Sequence, residues 1–452
     1  MKTGDDEDRP EGSTGDRATS THVELTVGIV TCSSGSSSYF GKVIANGIKL
    51  GLSDFSVRSF GCLIRTEQCD DEGDQRKALS AVSLLVDKGA AVIIGPCESH
   101  TAATAIEFAA KANIPVISPS ATASFLTEQN NPWFFRATPS DAQKAERLAR
   151  LIAIRHPHGP IIVLHESEAP GVGRSDGTLC GDSLARDMRR YLSAFGQVYT
   201  LVPYDRKLED AQLKTSIIQS LHGRAFVGLV ILGRSSDTLR ISQVVRDLYG
   251  ECPIYLISPG KEMFSQARFE NVYAVTDTVV ETVSDDAIER FRARYGNEYP
   301  GTAKREAIDQ YATFGYDTAN IVGNAIILAA SRGLSSVVSE QRLAIRKAIA
   351  ETPNERRGLM SDGGFTRQNE LLSRPHVQRL SNRRWEQLSF DEAIKSEVYE
   401  GTGRWVTVHK IFKAAKHNLD SAEKNFAVRI LNLIGYVATG ILALIGIYHF
   451  LF

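Results

Sequence analysis

The feature that most constrains the fold of this chain is a regular alternation of short apolar segments with longer amphipathic ones. The first apolar segment, VELTVGIV, is rich in β-branched residues, and the apolar residues of GKVIANGIKLGLSDF after it recur at helical spacing. The alternation continues through AAVIIGP and IPVIS, and it restarts with GPIIVLHES at residue 159. Apolar strands that alternate with helices are typical of a parallel sheet covered on both faces. The sequence therefore predicts an α/β protein with two doubly wound parallel-sheet lobes.

Both ends of the chain depart from this pattern. Residues 1–22 are acidic and rich in Gly, Ser and Thr, so we expect a disordered tail and find no recognisable signal peptide. Residues 430–452 contain no Asp, Glu, Lys or Arg. As a helix, at roughly 1.5 Å per residue, they would exceed the roughly 30 Å of a bilayer core. The sequence predicts a C-terminal transmembrane helix over 427–452, preceded by a juxtamembrane linker over 391–426.

The composition excludes several classes of function. The formal net charge of -1 provides no counterion release for nucleic acid, so we expect no nucleic-acid partner. No combination of residues in the sequence argues for catalysis, and we expect no enzyme activity, no metal site and no cofactor. The six cysteines are too widely spaced for a CxxC metal site, and buried thiols or one or two disulfides remain open. They are Cys32, Cys62, Cys69, Cys97, Cys180 and Cys252.

A loop of small hydroxyl residues follows the fourth apolar segment, in NIPVISPSATASFLT. Every second residue from Ser118 to Ser124 carries a hydroxyl group. Ser and Thr hydroxyls often bond to nearby backbone and simply stabilise a turn. Alternatively, the loop presents hydroxyls and backbone N–H groups to a small ligand, at the carboxyl end of a parallel strand where open α/β sheets bind ligands.

Five segments carry a resemblance to a known family. They are LLVDKGAAVIIGPCESHTAATA, NIPVISPSATASFLT, PWFFRATPSDAQ, QYATFGYDTANIVGNAI and, more loosely, GGFTRQNELLSRPHVQRLSNRRW. In this order they resemble the type I periplasmic-binding-protein fold of branched-chain amino-acid binding proteins and of the Venus-flytrap ligand domains of receptors. The resemblance covers roughly residues 23–390 and favours the ligand-loop interpretation.

The resemblance also implies how the two lobes divide the chain. We expect lobe one to take about 23–140 with part of 260–345, and lobe two to take about 155–259 with part of 346–390. Cys69 and Cys97 of this chain lie near positions where related binders carry a disulfide in lobe one.

By position in the matching motifs, three residues of lobe one are expected to bind the ligand. Ser99 comes from GPCES, and the loop SPSAT supplies Ser120 through its backbone and Thr122 through its hydroxyl. Neutral donors at the start of a helix can hold a carboxylate without a buried counter-charge. Asp141 also matches a family position, although an Asp before a helix is first of all an N-cap, and we expect that role.

The corresponding loops of lobe two depart from the family pattern. Relatives place an aromatic residue and an acid there, whereas this chain offers Arg234 and Ser235 in one loop and Lys261 in another. A basic residue facing the cleft would favour an anionic ligand, and the neighbouring Asp237 or Glu262 would restore an amine site. Alternatively, these are solvated loop charges.

The charges beside the apolar segment and the resemblance disagree on which side of the membrane the lobes lie. Basic residues precede the segment and none follows it, so the positive-inside rule predicts cytoplasmic lobes. They are Arg404, Lys410, Lys413, Lys416, Lys424 and Arg429. The family usually works outside the cytoplasm, which keeps an extracytoplasmic location as the alternative.

These observations predict a membrane-anchored protein that closes its two lobes on an amino-acid-like or other small polar ligand, as a substrate-binding component or a receptor-type sensor. A permease or a signalling protein in the membrane would then be its partner. The alternative is an interaction module that kept the fold without a ligand, dimerises through lobe one and assembles with a membrane partner.

Overall fold

A computed structural model describes most of the chain between residues 23 and 406. The described residues are 23–55, 62–157, 159–166, 180–205, 207–233, 235–259, 264, 269–276, 285–304, 307–351, 359, 365–371, 375–388, 398–400 and 404–406.

Lobe one is built on a parallel sheet of five strands. The strands are β1 (Val23–Thr31), β2 (Cys62–Asp70), β3 (Ala90–Ile94), β4 (Val116–Ser118) and β5 (Phe134–Arg136), in the order β2-β1-β3-β4-β5. The helices of this part are α1 (Ser38–Ser53), α2 (Gln75–Asp87), α3 (Ser99–Lys111) and the short α4 (Phe125–Glu128). All five residues of β3 are buried, as expected for a strand covered on both faces.

Lobe two contains a sheet of seven strands. They are β6 (Ile161–Glu166), β7 (Tyr199–Tyr204), β8 (Gly228–Leu232), β9 (Ile254–Ile257), β10 (Val272–Thr276), β11 (His376–Ser381) and β12 (Arg384–Leu388). The sheet order is β12-β11-β10-β9-β8-β6-β7. Its helices are α5 (Asp141–Arg155), α6 (Cys180–Ala194), α7 (Asp210–Leu221) and α8 (Ser235–Tyr249). The five parallel strands have the same relative order as those of lobe one, which confirms the prediction of two similar doubly wound halves.

The sheet of lobe two is not parallel throughout, which the sequence pattern did not predict. Strands β11 and β12 form an antiparallel hairpin, and β11 pairs antiparallel with β10. The two residues of the hairpin turn, Asn382 and Arg383, both have positive φ angles, of 49° and 64°. Such a turn matches the right-handed twist of the flanking strands and therefore fixes the register of the hairpin.

A third group of described helices, within residues 285–350, packs back on lobe one. It comprises α9 (Asp285–Glu298), a π-helical turn (Ile308–Ala312), α10 (Thr313–Ser331) and α11 (Val338–Ala350). Gly47 of α1 faces the carbonyl of Ala312, and Gly315 of α10 faces the carbonyl of Ile44, so that a Cβ at either glycine would overlap backbone. Helices α1 and α10 therefore approach closely and together cover one face of the lobe-one sheet.

Among the described residues, the chain changes lobe at three points. It enters lobe two after β5, the described element that follows β10 belongs to lobe one, and Leu371 of lobe one is followed by β11 of lobe two. In lobe one the crevice of the sheet lies where β1 and β3 are neighbours, because the connections of these two strands leave in opposite directions. Open α/β sheets bind ligands at such a switch point, outside the carboxyl ends of the strands.

The predicted tail, residues 1–22, and the predicted membrane segment, 427–452, lie outside the described residues. Within the described ranges, no helix has both the length and the apolar character needed to span a bilayer. A short hairpin of β13 (Val398–Glu400) and β14 (Arg404–Val406) falls inside the predicted linker.

Five of the cysteines are described as free thiols: Cys32, Cys62, Cys69, Cys97 and Cys252. Cys69 and Cys97 are both free thiols, so the disulfide found near these positions in related binders is not present in this structure. Cys97 is fully buried among apolar residues of lobe one, and burial raises the pKa of its thiol far above the ordinary value. The thiol of Cys97 is therefore protonated and unreactive at neutral pH.

Candidate functional site

The loops after β3 and β4 meet at the carboxyl edge of the lobe-one sheet. Ser99 is the first residue of α3, and its Oγ accepts a hydrogen bond of 3.2 Å from the backbone N–H of Ala123. This bond joins the start of α3 to the hydroxyl-rich loop. The structure thus brings Ser99, at the start of α3, close to the loop that contains Ser120 and Thr122. A helix N-terminus of this kind favours a negative group.

Three of the four hydroxyls in the loop from Ser118 to Ser124 are used inside the protein. Ser118 donates to the carbonyl of Pro96 at 2.6 Å, and Ser120 donates to the carbonyl of Cys97 at 2.8 Å. Ser124 donates to a carboxylate oxygen of Asp187 at 2.6 Å. The turn interpretation is therefore correct for these three serine hydroxyls.

Thr122 is the exception in this loop. Its side chain is half-buried, and among the described residues its hydroxyl has no hydrogen-bond partner. Its carbonyl, by contrast, accepts from the backbone N–H of Asp141 at 2.8 Å, so the residue is held in place by its backbone. Thr122 therefore carries a positioned hydroxyl that no described residue engages, whereas the hydroxyl of Ser120 is bonded inside the protein.

A buried arginine is hydrogen-bonded to the backbone of this loop. Arg136, at the end of β5, has no exposed surface. Its Nη1 donates to the carbonyls of Ala121 and Ala123, at 3.3 and 2.8 Å, and its Nη2 donates to the hydroxyl of Thr127 at 2.7 Å. Since the guanidinium spans both sides of Thr122, it fixes the backbone from which the Thr122 side chain projects.

The positive charge of Arg136 is balanced by Glu370. The two side chains lie 3.5 Å apart, and the hydroxyl of Thr127 also donates to the Glu370 carboxylate. Glu370 belongs to a segment that pairs with the backbone of Arg136, near the third crossing between the lobes. Burial lowers the pKa of Arg136 and the Glu370 carboxylate opposes this. Arg136 lies in PWFFRATPSDAQ, one of the segments that carry the resemblance. The signal for it in the sequence is a basic residue directly after the two apolar residues Phe134 and Phe135.

The predicted capping role of Asp141 is wrong. The N-cap of α5 is Ser140, whose Oγ accepts from the N–H of Gln143 in a reciprocal capping box. Asp141 is the first helical residue instead, and its buried carboxylate lies 3.2 Å from the ammonium of Lys144. A serine followed by glutamine three residues later is the sequence signature of this box and would have identified the cap.

Little of the expected lobe-two site falls within the described residues. Arg234 and Lys261 lie outside them, and Ser235 begins α8 without a described side chain. At the carboxyl edge of the lobe-two sheet, Lys144 reaches the hydroxyl of Ser258 at 3.4 Å. Lys144 is almost fully buried, and its positive charge is paired with the carboxylate of Asp141. The described part of lobe two therefore contributes an ion pair without net charge to this region.

Acidic groups flank the hydroxyl loop on the β1 and β2 side of lobe one. Glu98, one residue before Ser99, accepts from the hydroxyl of Ser37 at 2.7 Å and so joins the loops that follow β1 and β3. Asp71, just after β2, is buried, with one carboxylate oxygen accepting from the N–H of Gly73 and the other lacking a partner among the described residues. Burial raises the pKa of Asp71 to about 6, the Gly73 N–H opposes this, and the Glu98 carboxylate adds to it. This edge therefore has neutral donors on one side and negative charge on the other.

Solved structures match about four-fifths of the chain. The chain superposes on the leucine-binding protein LivK of Thermotoga maritima with a TM-score of 0.64 and 16% identity, covering 81% of this chain and 98% of that one. It superposes on the branched-chain amino-acid transporter substrate-binding protein LivJ of Streptococcus pneumoniae, solved with isoleucine, with a TM-score of 0.62 and 20% identity. That match covers 80% of this chain and 98% of LivJ.

The chain has the type I periplasmic-binding-protein fold. Residues 24–199 match a family model described as periplasmic binding protein. The resemblance inferred from the sequence motifs is therefore confirmed.

Curated proteins with sequence similarity to this chain are of two kinds. A Leu/Ile/Val-binding protein, BraC3, of Rhizobium johnstonii is 24% identical over 157 residues, which are 34% of this chain and 43% of that protein. Glutamate receptor 2.7 of Arabidopsis thaliana is 24% identical over 297 residues, 64% of this chain and 30% of the receptor. The matched regions thus span less than half the length of these relatives.

Substitution of Arg136 tests its role beneath the loop. Arg136→Met leaves two backbone carbonyls and the Glu370 carboxylate without their buried donor, and we expect the free energy of unfolding to fall by about 3–5 kcal/mol. Arg332→Met is the control, because it removes a positive charge from an exposed pair with Glu351 and should cost less than about 1 kcal/mol. Chemical denaturation of both variants measures the difference, and equal losses would contradict the buried-clamp interpretation.

The buried carboxyl of Asp71 predicts a pH dependence. Its folded pKa lies near 6, above the ordinary 3.8, so the folded state binds the proton more tightly than the unfolded state. Stability from this group is complete below pH 3.8 and is lost as the pH rises through 6, by about 3 kcal/mol in total. Asp71→Asn should therefore be more stable than the wild type at pH 8, with the difference shrinking toward pH 4.

Chemical denaturation between pH 4 and 8 measures this difference. Asp87→Asn, on the exposed side of α2, controls for the loss of one negative charge. A constant difference between the Asp71 variant and the wild type across this range would show that the carboxyl is not perturbed as described.

Proposed function

We propose that the protein binds an amino-acid-like ligand at the carboxyl edge of lobe one and closes lobe two over it, without catalysing a reaction. The single observation that carries the proposal is the arrangement of Ser99 and Thr122. Their loops are hydrogen-bonded to each other at the N-terminus of α3, and the Thr122 hydroxyl has no partner among the described residues.

The electrostatics of this edge suit a zwitterion. A ligand carboxylate is stabilised by neutral donors and by the positive end of a helix dipole, as found at Ser99 and Thr122. A ligand ammonium is stabilised by carboxylates, which are found on the same edge at Glu98 and Asp71. A purely anionic ligand would meet these carboxylates at close range, so a molecule with both charges fits the described groups better.

The relatives support the same class of ligand. The names of the matching proteins include Leu/Ile/Val-binding proteins and glutamate receptors, and one matching structure was solved with isoleucine. Closure follows the general logic of hinged two-lobed proteins, in which the ligand binds the closed state more tightly and so shifts the population toward it.

We also propose that residues 427–452 anchor the protein in a membrane, with the lobes on the cytoplasmic side. The support is the uncharged apolar run of residues 430–452 and the basic residues that precede it. The anchor would keep ligand binding at the bilayer, where a permease or a signalling protein can respond to it. A homodimer through lobe one is compatible with this arrangement.

Ligand binding is tested with a matched pair of threonine variants. We expect at least one amino acid to raise the unfolding midpoint of the wild type, because a ligand specific for the native state stabilises by mass action. Thr122→Val keeps the shape of the side chain, and loss of one hydrogen bond to a charged group should weaken binding by about 1.5–3 kcal/mol, or more than tenfold. Thermal-shift assays followed by calorimetry measure both effects.

Thr215→Val is the control for this pair. Its hydroxyl is exposed and bonds to the carbonyl of Ala211 on α7 in lobe two, so binding should stay at the wild-type level. Equal weakening by both variants would remove Thr122 from the site. If no amino acid, small carboxylate or amide binds and the protein is a stable dimer, the ligand-free interaction module is the better assignment.

Membrane anchoring is tested by extraction and topology. We expect the full chain to stay with membranes at alkaline pH and a chain ending at residue 426 to be released, because the truncation removes the apolar segment. If the lobes lie in the cytoplasm, an N-terminal fusion to a reporter that works only in the cytoplasm should be active. Activity of a reporter that needs an extracytoplasmic location would reverse the proposed orientation.

A further inference from the structure

The hydroxyl-rich loop, residues 118–124, is bonded to both lobes. Within lobe one, Ser118 donates to Pro96, and the Arg136 guanidinium binds the carbonyls of Ala121 and Ala123. Thr122 and Ser124 contact lobe two. The Thr122 carbonyl accepts from the N–H of Asp141 at 2.8 Å, and this N–H lies at the start of α5.

Ser124 makes two further bonds to lobe two. Its hydroxyl donates to Oδ2 of Asp187 on α6 at 2.6 Å, and its Oγ accepts from the N–H of Ala142 on α5 at 2.9 Å. Ser124 and Asp187 are both buried. One hydroxyl of lobe one thus binds two different helices of lobe two, with its donor and one of its acceptor positions used.

Burial of the Asp187 carboxylate disfavours its charged form. Burial raises the pKa of Asp187, while the Ser124 hydroxyl and the guanidinium of Arg186 oppose this and the carboxylates of Asp141 and Glu128 add to it. Removing a hydrogen-bond partner from a buried carboxylate is expensive, so Ser124 and Asp187 hold each other in place.

A second contact of α6 with lobe one, through α4 directly after the loop, is exposed. Arg186 of α6 lies 3.3 Å from Glu128 of α4, and both side chains are about half exposed, at 46% and 47%. Exposed ion pairs contribute little because solvent screens them. The buried Ser124–Asp187 bond therefore dominates the connection between α4 and α6.

We infer that Ser124 and Asp187 are positioning residues that set the angle between the lobes and transmit movement of the ligand loop to α6. Thr122 lies two residues before Ser124 on the same short loop. A ligand that bonds to the Thr122 side chain therefore acts on the segment that binds α5 and α6. This inference rests on the proposed function for its physiological meaning, but the mechanical connection exists without a ligand.

The test uses the full chain without ligand, so that failure to find a ligand does not affect it. Asp187→Ala removes the acceptor from lobe two, and small-angle X-ray scattering should then show a broader distribution of distances between the lobes. Asp187→Asn keeps an oxygen that accepts from Ser124 and should restore most of the wild-type profile. Ser80→Ala, which removes an exposed serine hydroxyl on α2, is the control and should leave scattering unchanged.

Ser124→Ala gives a second, local readout. The N–H of Ala142 loses its acceptor, and its hydrogen exchange should become about tenfold faster because one ordinary hydrogen bond is lost. The double variant Ser124→Ala, Asp187→Ala should scatter like Ser124→Ala, since that single variant already lacks the bond to Asp187.

Two results would overturn the inference. One is unchanged scattering in both Asp187→Ala and Ser124→Ala. The other is a lowered unfolding midpoint with an unchanged distribution of distances, which would show that the contact only stabilises the fold. If ligands bind and Thr122→Val weakens them while scattering stays unchanged in both variants, the proposed function stands and this inference alone fails.

Discussion

The site depends on the burial of one guanidinium under the hydroxyl-rich loop. A buried charge is tolerated only when it is paired and hydrogen-bonded, and Arg136 meets this condition through the loop carbonyls, Thr127 and Glu370. These partners come from three separate segments: the hydroxyl-rich loop, α4 and the stretch that contains Glu370. The requirement to satisfy the charge therefore gives the loop one conformation, and Thr122 is placed by that conformation.

The same loop shows how a binding surface can be assembled from ordinary turn chemistry. Serine hydroxyls at 118, 120 and 124 satisfy backbone or carboxylate groups inside the protein. Because these bonds are internal, the loop does not need a ligand to be ordered, and the remaining Thr122 is presented on a rigid frame. Such preorganisation lowers the entropy lost on binding. The acidic neighbours Glu98 and Asp71 then give the edge its polarity.

The sequence pattern was sufficient to predict the repeated parallel strands. A short, wholly apolar run such as AAVII, placed between two helical segments, is typical of a strand buried on both faces of a parallel sheet. It was not sufficient for the antiparallel pairing of β11 with β10 and β12. Half of the residues of β11 are buried while those of β12 are more exposed, and the chain turns between them at Asn382 and Arg383, which have positive φ angles. The cap of α5 was also misplaced by one residue, because Asp and Ser both suit an N-cap and the glutamine three residues after Ser140, which marks the capping box, was not used.

The sequence by itself determined the two α/β halves, the order of their elements and the loops that contain Ser99 and Thr122, because strand and helix periodicity and motif position are local properties of a chain. The tertiary structure decided which hydroxyls remain available, that Glu370 neutralises Arg136, and that Ser124 binds Asp187. These partners are 234 and 63 residues apart in the chain. No local pattern encodes such pairs, since they form only when the crossings between the lobes bring distant segments into contact.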